Sequence, residues 1–112
     1  MCYVLDINDK RLLSSVYNEV NKEIYGYGVV ELKVEQKDNI IIFNVKNQRV
    51  KILVTLEENY EFLKKIVDQA LFEEFKIRLR TKLESEFSFE IVSVLRDYDP
   101  VQQKAYTLLI IK

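Results

Sequence analysis

The chain has 112 residues, 48% hydrophobic and 31% charged, with 17 basic and 18 acidic side chains and a net charge of −1. That size and balance suit one globular domain spanning 1–112 with a single core, and near-neutrality removes the sequence-independent pull on phosphate backbones, so nucleic acid is not expected as a partner. With no histidine and one cysteine, the commonest general base, the histidine-centred nucleophile triads and a cysteine-built zinc site are all missing.

Only two glycines and one proline occur, so most residues belong to regular elements. The lone Cys2 cannot close an internal disulfide, which points to a reducing, cytoplasmic setting. The apolar run after Met1 is too short and lacks the basic flank of a signal peptide. No apolar run approaches the ~20 residues of a membrane span. Direct membrane insertion is therefore not expected, and work at a membrane would pass through a partner.

Residues 8–25 read as a first helix, capped by Asn8 or Asp9, with Leu13, Val16, Val20 and Ile24 on one face. Gly26 stands at its end, where a left-handed backbone is cheapest. In residues 29–36, Val30, Leu32 and Val34 alternate with Glu31, Lys33 and Glu35, the pattern of a half-buried strand. A turn at 37–39 leads to a second strand over 40–45, apolar on both faces at its start. Residues 46–54 are ambiguous. Val50, Ile52 and Val54 alternate as in a short strand, yet the segment could equally be an extended lead into a helix.

Thr55 and Glu58 match a capping box. Beyond them Leu56, Tyr60, Leu63, Val67, Leu71, Phe75, Leu79, Leu83 and Phe87 keep a helical stripe, widened by Phe62, Ile66 and Ala70. Unbroken, this helix would run roughly 45–50 Å, against a diameter of about 35 Å for a compact domain of this length. It must therefore kink, or project and be covered by a second chain, which makes a homodimer through the long helix the economical expectation. Residues 89–96 read as a strand with Phe89, Ile91 and Leu95 on one face and Val92 and Val94 on the other. A turn at 97–103 surrounds the only proline, and 105–111 forms a last strand, apolar on both faces and hence central or covered. The expected fold is α+β, in the order α-β-β-α-β-β, with an antiparallel sheet carrying a short N-terminal helix and one long central helix on one face.

Little chemistry remains. The glycines of Tyr25-Gly26-Tyr27-Gly28 lack the Lys-Ser/Thr and the following helix of a phosphate-cradling loop. Glu57/Glu58 and Glu73/Glu74 are adjacent on a helix and point apart. Lys76, Arg78, Arg80 and Lys82 lie among Glu73, Glu74, Glu84 and Glu86, which reads as a salt-bridged wet face. Asp97 and Asp99 flank Tyr98 before Pro100; they suit either a carboxylate-stabilised turn or an exposed interaction turn with a weak oxygen-ligand cation site. Arg49, Lys51 and Arg96 are the candidate contacts for a small anion such as phosphate or bicarbonate. No catalytic, cofactor or metal-binding residue is assigned, and no enzyme activity or cofactor is expected.

Two stretches carry a resemblance. Residues 67–76, VDQALFEEFK, continuing through Leu79 and Lys82-Leu83-Glu84, together with 91–100, IVSVLRDYDP, resemble the MpsC-like domain family, named after the Na+-translocating membrane-potential-generating system. Residues 17–22 and Gly26-Tyr27-Gly28 are similar to that family's first helix and exit. The likeness covers roughly 10–112, with Phe87-Ser88-Phe89 where a glycine-containing step is usual and arginine at 96 for the family's lysine. The resemblance implies a non-enzymatic accessory or regulatory domain that contacts a cation-translocating or inorganic-carbon-accumulating membrane system, such as a transporter subunit. The alternative is a sensing module that binds a small ion at a dimer seam.

Overall fold

The structure, a computed structural model, describes residues 3–48 and 50–112; Cys2 and Arg49 lie outside the described residues. The elements are α1 (Ile7–Tyr25), β1 (Glu31–Lys37), β2 (Ile40–Lys46), α2 (Lys51–Asn59), α3 (Glu61–Glu86), β3 (Ile91–Asp99) and β4 (Lys104–Ile111). The strands form one antiparallel sheet in the order β1-β2-β4-β3, with helices on one face, an α+β domain as expected.

The cap of α1 is Asp6, two residues before Asn8 and three before Asp9. The Asp9 backbone N–H donates to Asp6 Oδ1 (2.8 Å) and the Asp6 N–H to Asp9 Oδ2 (3.1 Å), so Asp9 supplies the return half of a capping box. At the other end Gly26 adopts φ 89° and its N–H reaches the Lys22 carbonyl at 2.9 Å. Gly28 serves a different need. A Cβ there would stand 2.7 Å from Asn18 Oδ1, the atom that accepts the Val29 N–H. Val30, expected to face inward, is half-exposed just ahead of β1.

The core lies between the sheet and α1 plus the second half of α3. Leu13, Val16, Tyr17 and Val20 from α1 and Phe75, Leu79 and Leu83 from α3 meet Ile41, Phe43 and Val45 of β2 and Ala105, Leu109 and Ile111 of β4. The Tyr17 ring stacks on Phe43 (4.8 Å between centroids) and sits edge-on to Phe75 (5.0 Å). Its hydroxyl shares a 2.8 Å hydrogen bond with that of buried Thr107, so both polar groups are satisfied inside the core. The two strands that are apolar on both faces, β2 and β4, are the central pair of the sheet.

The long helix departs from expectation. It is two helices, broken at Tyr60 (φ −135°, ψ 47°), and α2 begins at Lys51. Val50, Ile52 and Val54 therefore belong to a helix start rather than a strand: Val50 is the N-cap, and the Val54 N–H donates to the Val50 carbonyl at 3.1 Å. The capping box at Thr55 and Glu58 is not formed as a helix start, because Thr55 lies inside α2 with its hydroxyl on the Lys51 carbonyl (3.2 Å). Burying Leu53 while keeping the cleft-side residues of α2 over the sheet requires a helical turn, and this outweighs the strand-like alternation of three β-branched residues. The molecule measures 51 × 23 × 21 Å: the kink is real, and α2 with the first half of α3 still forms an arm.

Basic residues weld α3 to α1. Lys82 Nζ lies 2.5 Å from both Glu19 and Glu23, and Arg78 bridges Glu74 (2.9 Å) and Glu23 (3.4 Å). Lys76 pairs with Glu73 and Arg80 with Glu84. This is the salt-bridged wet face anticipated from the charge pattern. The hydrogen bond from Lys82 holds the Glu23 carboxyl below the usual carboxylate range.

Candidate functional site

The site is made by a defect in β3. In a regular strand starting at Ile91, alternate residues 91, 93, 95 and 97 would face the helices. The β3–β4 register instead shifts between Ile91, opposite Ile111, and Ser93, opposite Ile110. This bulge adds a residue at Val92 and exchanges the faces of everything after it. Val94, Arg96 and Tyr98 turn to the helix side, opposite Leu109, Thr107 and Ala105, and Leu95 turns outward, half-exposed. The expectation that Leu95 shares a face with Ile91 is thereby corrected. Ser93 offers a reason for the preference: strict alternation would turn its hydroxyl toward the helices and Val94 away from them, whereas the bulge turns Val94 to the helix side and Ser93 to the other.

Arg96 consequently points under the helices. Its guanidinium carbon lies 4.7 Å from the Phe75 ring centroid, 5.2 Å from Phe72 and 5.5 Å from Tyr25, and Nη1 donates to the Tyr25 hydroxyl at 3.2 Å. Nε is buried with no hydrogen-bond partner, and none of the ion pairs among the described residues involves Arg96. Three aromatic faces stabilise a cation through their quadrupoles. They leave the Nε–H without a hydrogen-bond partner. Burial pushes the Tyr25 phenol upward against the opposing pull of Arg96, so it stays a neutral donor-acceptor.

Around this cation lies a cleft of about 160 Å³ between α2, the first half of α3 and the β3–β4 end of the sheet. Val50, Leu53, Val54 and Phe72 give it apolar walls, Lys64 and Arg96 positive charge, and Asn47 and Gln48 amide groups. Acidic residues stand in it too: Lys64 pairs with Asp68 at 3.6 Å, and Asp97 and Glu57 contribute to the lining. Tyr98 closes the floor, its hydroxyl donating to the Asn47 carbonyl at 3.1 Å. Asn47 is in turn fixed by a buried amide pair with Asn21, whose Oδ1 accepts from Asn47 Nδ2 at 3.0 Å.

Of the residues picked out in sequence, Arg96, Asp97, Tyr98 and Pro100 come together in this cleft. Lys51 is exposed on α2 and is not part of the lining, and Arg49 lies outside the described residues. Asp99 is occupied elsewhere: its Oδ1 accepts the N–H groups of Val101 (3.0 Å) and Gln102 (3.2 Å), the carboxylate-stabilised turn. The strand runs through Asp99, so the turn is narrower than 97–103. Sequence reasoning missed Tyr25, Asn47, Lys64 and Phe72. Chain distance hid them, because four separate elements build the cleft.

The geometry defines an α+β domain with an aromatic-walled cleft that holds both acidic and basic side chains around Arg96. The chain matches no protein-family model, no curated protein and no solved structure.

Proposed function

We propose that this chain is a non-enzymatic, anion-responsive contact module. One observation carries this reading: a largely enclosed guanidinium held by three rings and a phenol, whose buried Nε has no hydrogen-bond partner and which forms no ion pair with a carboxylate of the described residues. Taking a charge out of water is costly unless a counter-charge joins it, so an anion entering the cleft gains more at this position than at an exposed arginine. The volume suits a small oxyanion or short carboxylate, with phosphate and bicarbonate as the first candidates. Because the cleft is walled by α2 and α3 on one side and by β3 on the other, an occupant would tie the arm to the sheet.

A second reading concerns the arm itself. Tyr60, Phe62, Leu63 and Ile66 leave large apolar surfaces in solvent along the first half of α3, a surface that favours protein contact. The resemblance of residues 67–84 and 91–100 to the MpsC-like domain favours an accessory role beside a cation-translocating or inorganic-carbon-accumulating membrane system. A transporter subunit or a second copy along the long helix would be the covering partner. No helix among the described residues is long and apolar enough to cross a membrane, so such contact would run from protein to protein.

Titration with phosphate, bicarbonate and acetate, followed by amide chemical shifts, tests the first reading. Saturable shifts at residues 47–48, 64–72 and 96–100, abolished by Arg96→Met, support it; no saturable shift up to tens of millimolar would sink it. For the second reading, the solution mass by light scattering is compared between the native chain and Phe62→Ser. A mass that falls with the substitution places a second copy on the arm.

A further inference from the structure

The free edge of the sheet at β1 holds a second recognition pattern, independent of the cleft. The outward face of β1 carries Glu31, Lys33, Glu35 and Lys37 in strict alternation, all exposed, while Leu32, Val34 and Gln36 face the helices. The neighbouring pairs fix which backbone groups of β1 are open. Ile111 N–H donates to the Asn39 carbonyl and Asn47 N–H to the Gln103 carbonyl, both in the β2–β4 register. In antiparallel ladders hydrogen-bonded positions recur every second residue, so the odd residues 39–47 of β2 bond to β4 and the even ones bond to β1. Their partners are Glu31, Lys33, Glu35 and Lys37. The N–H and C=O groups of Leu32, Val34 and Gln36 therefore point out from the edge. Residues of the N-terminal segment reach Gln36 through its side chain, which accepts the Leu5 N–H at 2.9 Å and donates to the Tyr3 carbonyl, and among the described residues no backbone hydrogen bond reaches this outward row.

We propose that β1 pairs antiparallel with β1 of a second copy of this chain about a two-fold axis through Val34, joining the two sheets into one. In this register Val34 faces its own copy and Leu32 faces Gln36 of the second copy, so the outward backbone groups bond to one another. The charged residues fall at the non-hydrogen-bonded positions between them, where side chains approach most closely. There Lys33 meets Glu35 of the second copy and Glu31 meets Lys37, and the two-fold repeats both pairs. Shifting the register by two residues in either direction ruins the match. One shift sets Lys33 against Lys33 and Glu31 against Glu35; the other sets Glu35 against Glu35 and Lys33 against Lys37. Shifts by one residue would pair outward backbone groups with inward ones. Edge strands are commonly protected from self-pairing by charge. An alternating row whose signs exchange when read backwards does the opposite for one register and protects against its neighbours.

The test is sedentrimetric mass by analytical ultracentrifugation across protein concentration, for the native chain, Lys33→Glu, and the double exchange Lys33→Glu with Glu35→Lys. The native chain is expected to dimerise. Lys33→Glu places two acidic pairs across the axis and is expected to weaken the dimer by at least about tenfold, given the size of cross-strand charge effects. The double exchange restores opposite signs at both pairs and is expected to return the native dimerisation constant. Circular dichroism confirms that each variant is folded. A monomeric native chain at hundreds of micromolar overturns the proposal. So does a dimer indifferent to Lys33→Glu, which would place the contact on another surface such as the arm, and so does a double exchange that stays monomeric.

Discussion

The two halves of α3 carry the same kind of side chain at the same helical spacing and meet opposite fates. Phe75, Leu79 and Leu83 are fully buried, whereas Phe62 is 79% exposed and Leu63 and Ile66 lie half in water. Nothing in propensity separates them. The second half has a sheet and α1 beneath it; the first half has only α2, a nine-residue helix that buries a single side chain, Leu53. Periodicity thus reports which face of a helix is apolar. It does not report whether a neighbour exists to cover that face.

The comparison breaks most visibly at Phe75. Truncation to alanine removes a ring packed on Tyr17, Tyr25 and Arg96, and a loss of about 3–5 kcal/mol is expected in urea unfolding. A loss under about 1 kcal/mol would mean that the core is looser than described. Tyr17→Phe is a smaller probe of the same half. It strands the buried Thr107 hydroxyl and should cost about 1–2 kcal/mol, while Tyr17→Phe with Thr107→Val should recover part of it.

The weld between α1 and α3 gives a pH signature. Glu23 is held below its ordinary pKa by Lys82, so its contribution is fully present above the unfolded carboxylate range. It is lost as pH falls through the lower folded value. Glu23→Gln should lower the neutral plateau by the small amount an exposed pair carries and, leaving the acid end unchanged, flatten the limb near and below pH ~4. Smallest of all, Phe62→Ser should leave monomer stability within about 0.5 kcal/mol. A large loss there would show that the exposed half of α3 is covered after all.

Much of the frame was readable from residues alone. The amphipathic spacing of α1, the glycine at its end, the alternation of β1 and the double-sided apolarity of β2 and β4 each had a single physical meaning. The break at Tyr60 was not readable, because no glycine or proline marks it; the chain bends there to lay Val50, Leu53 and Val54 over the cleft. The start of α2 was obscured because Val50, Ile52 and Val54 satisfy a strand pattern while Leu53 and Leu56 satisfy a helical one. The candidate site was half legible. Arg96 and the turn after it stood out, but the side of the sheet to which Arg96 points depends on one extra residue at Val92. A signal was present in Ser93, a hydroxyl at a position that strict alternation would have turned toward the helices.

The strand order has a consequence for how the chain acquires its shape. β2 and β4 are the central pair, yet residues 40–46 must find 104–110 after both intervening helices and β3 have been made. Loop closure over that separation is slow compared with forming the β1–β2 hairpin. During synthesis the hairpin therefore waits with the bonding edge of Ile41, Phe43 and Val45 open and their apolar side chains uncovered. A chain stalled before β4 emerges would present a sticky, unpaired strand, which makes completion of translation, rather than helix formation, the step at which this protein is most exposed to aggregation.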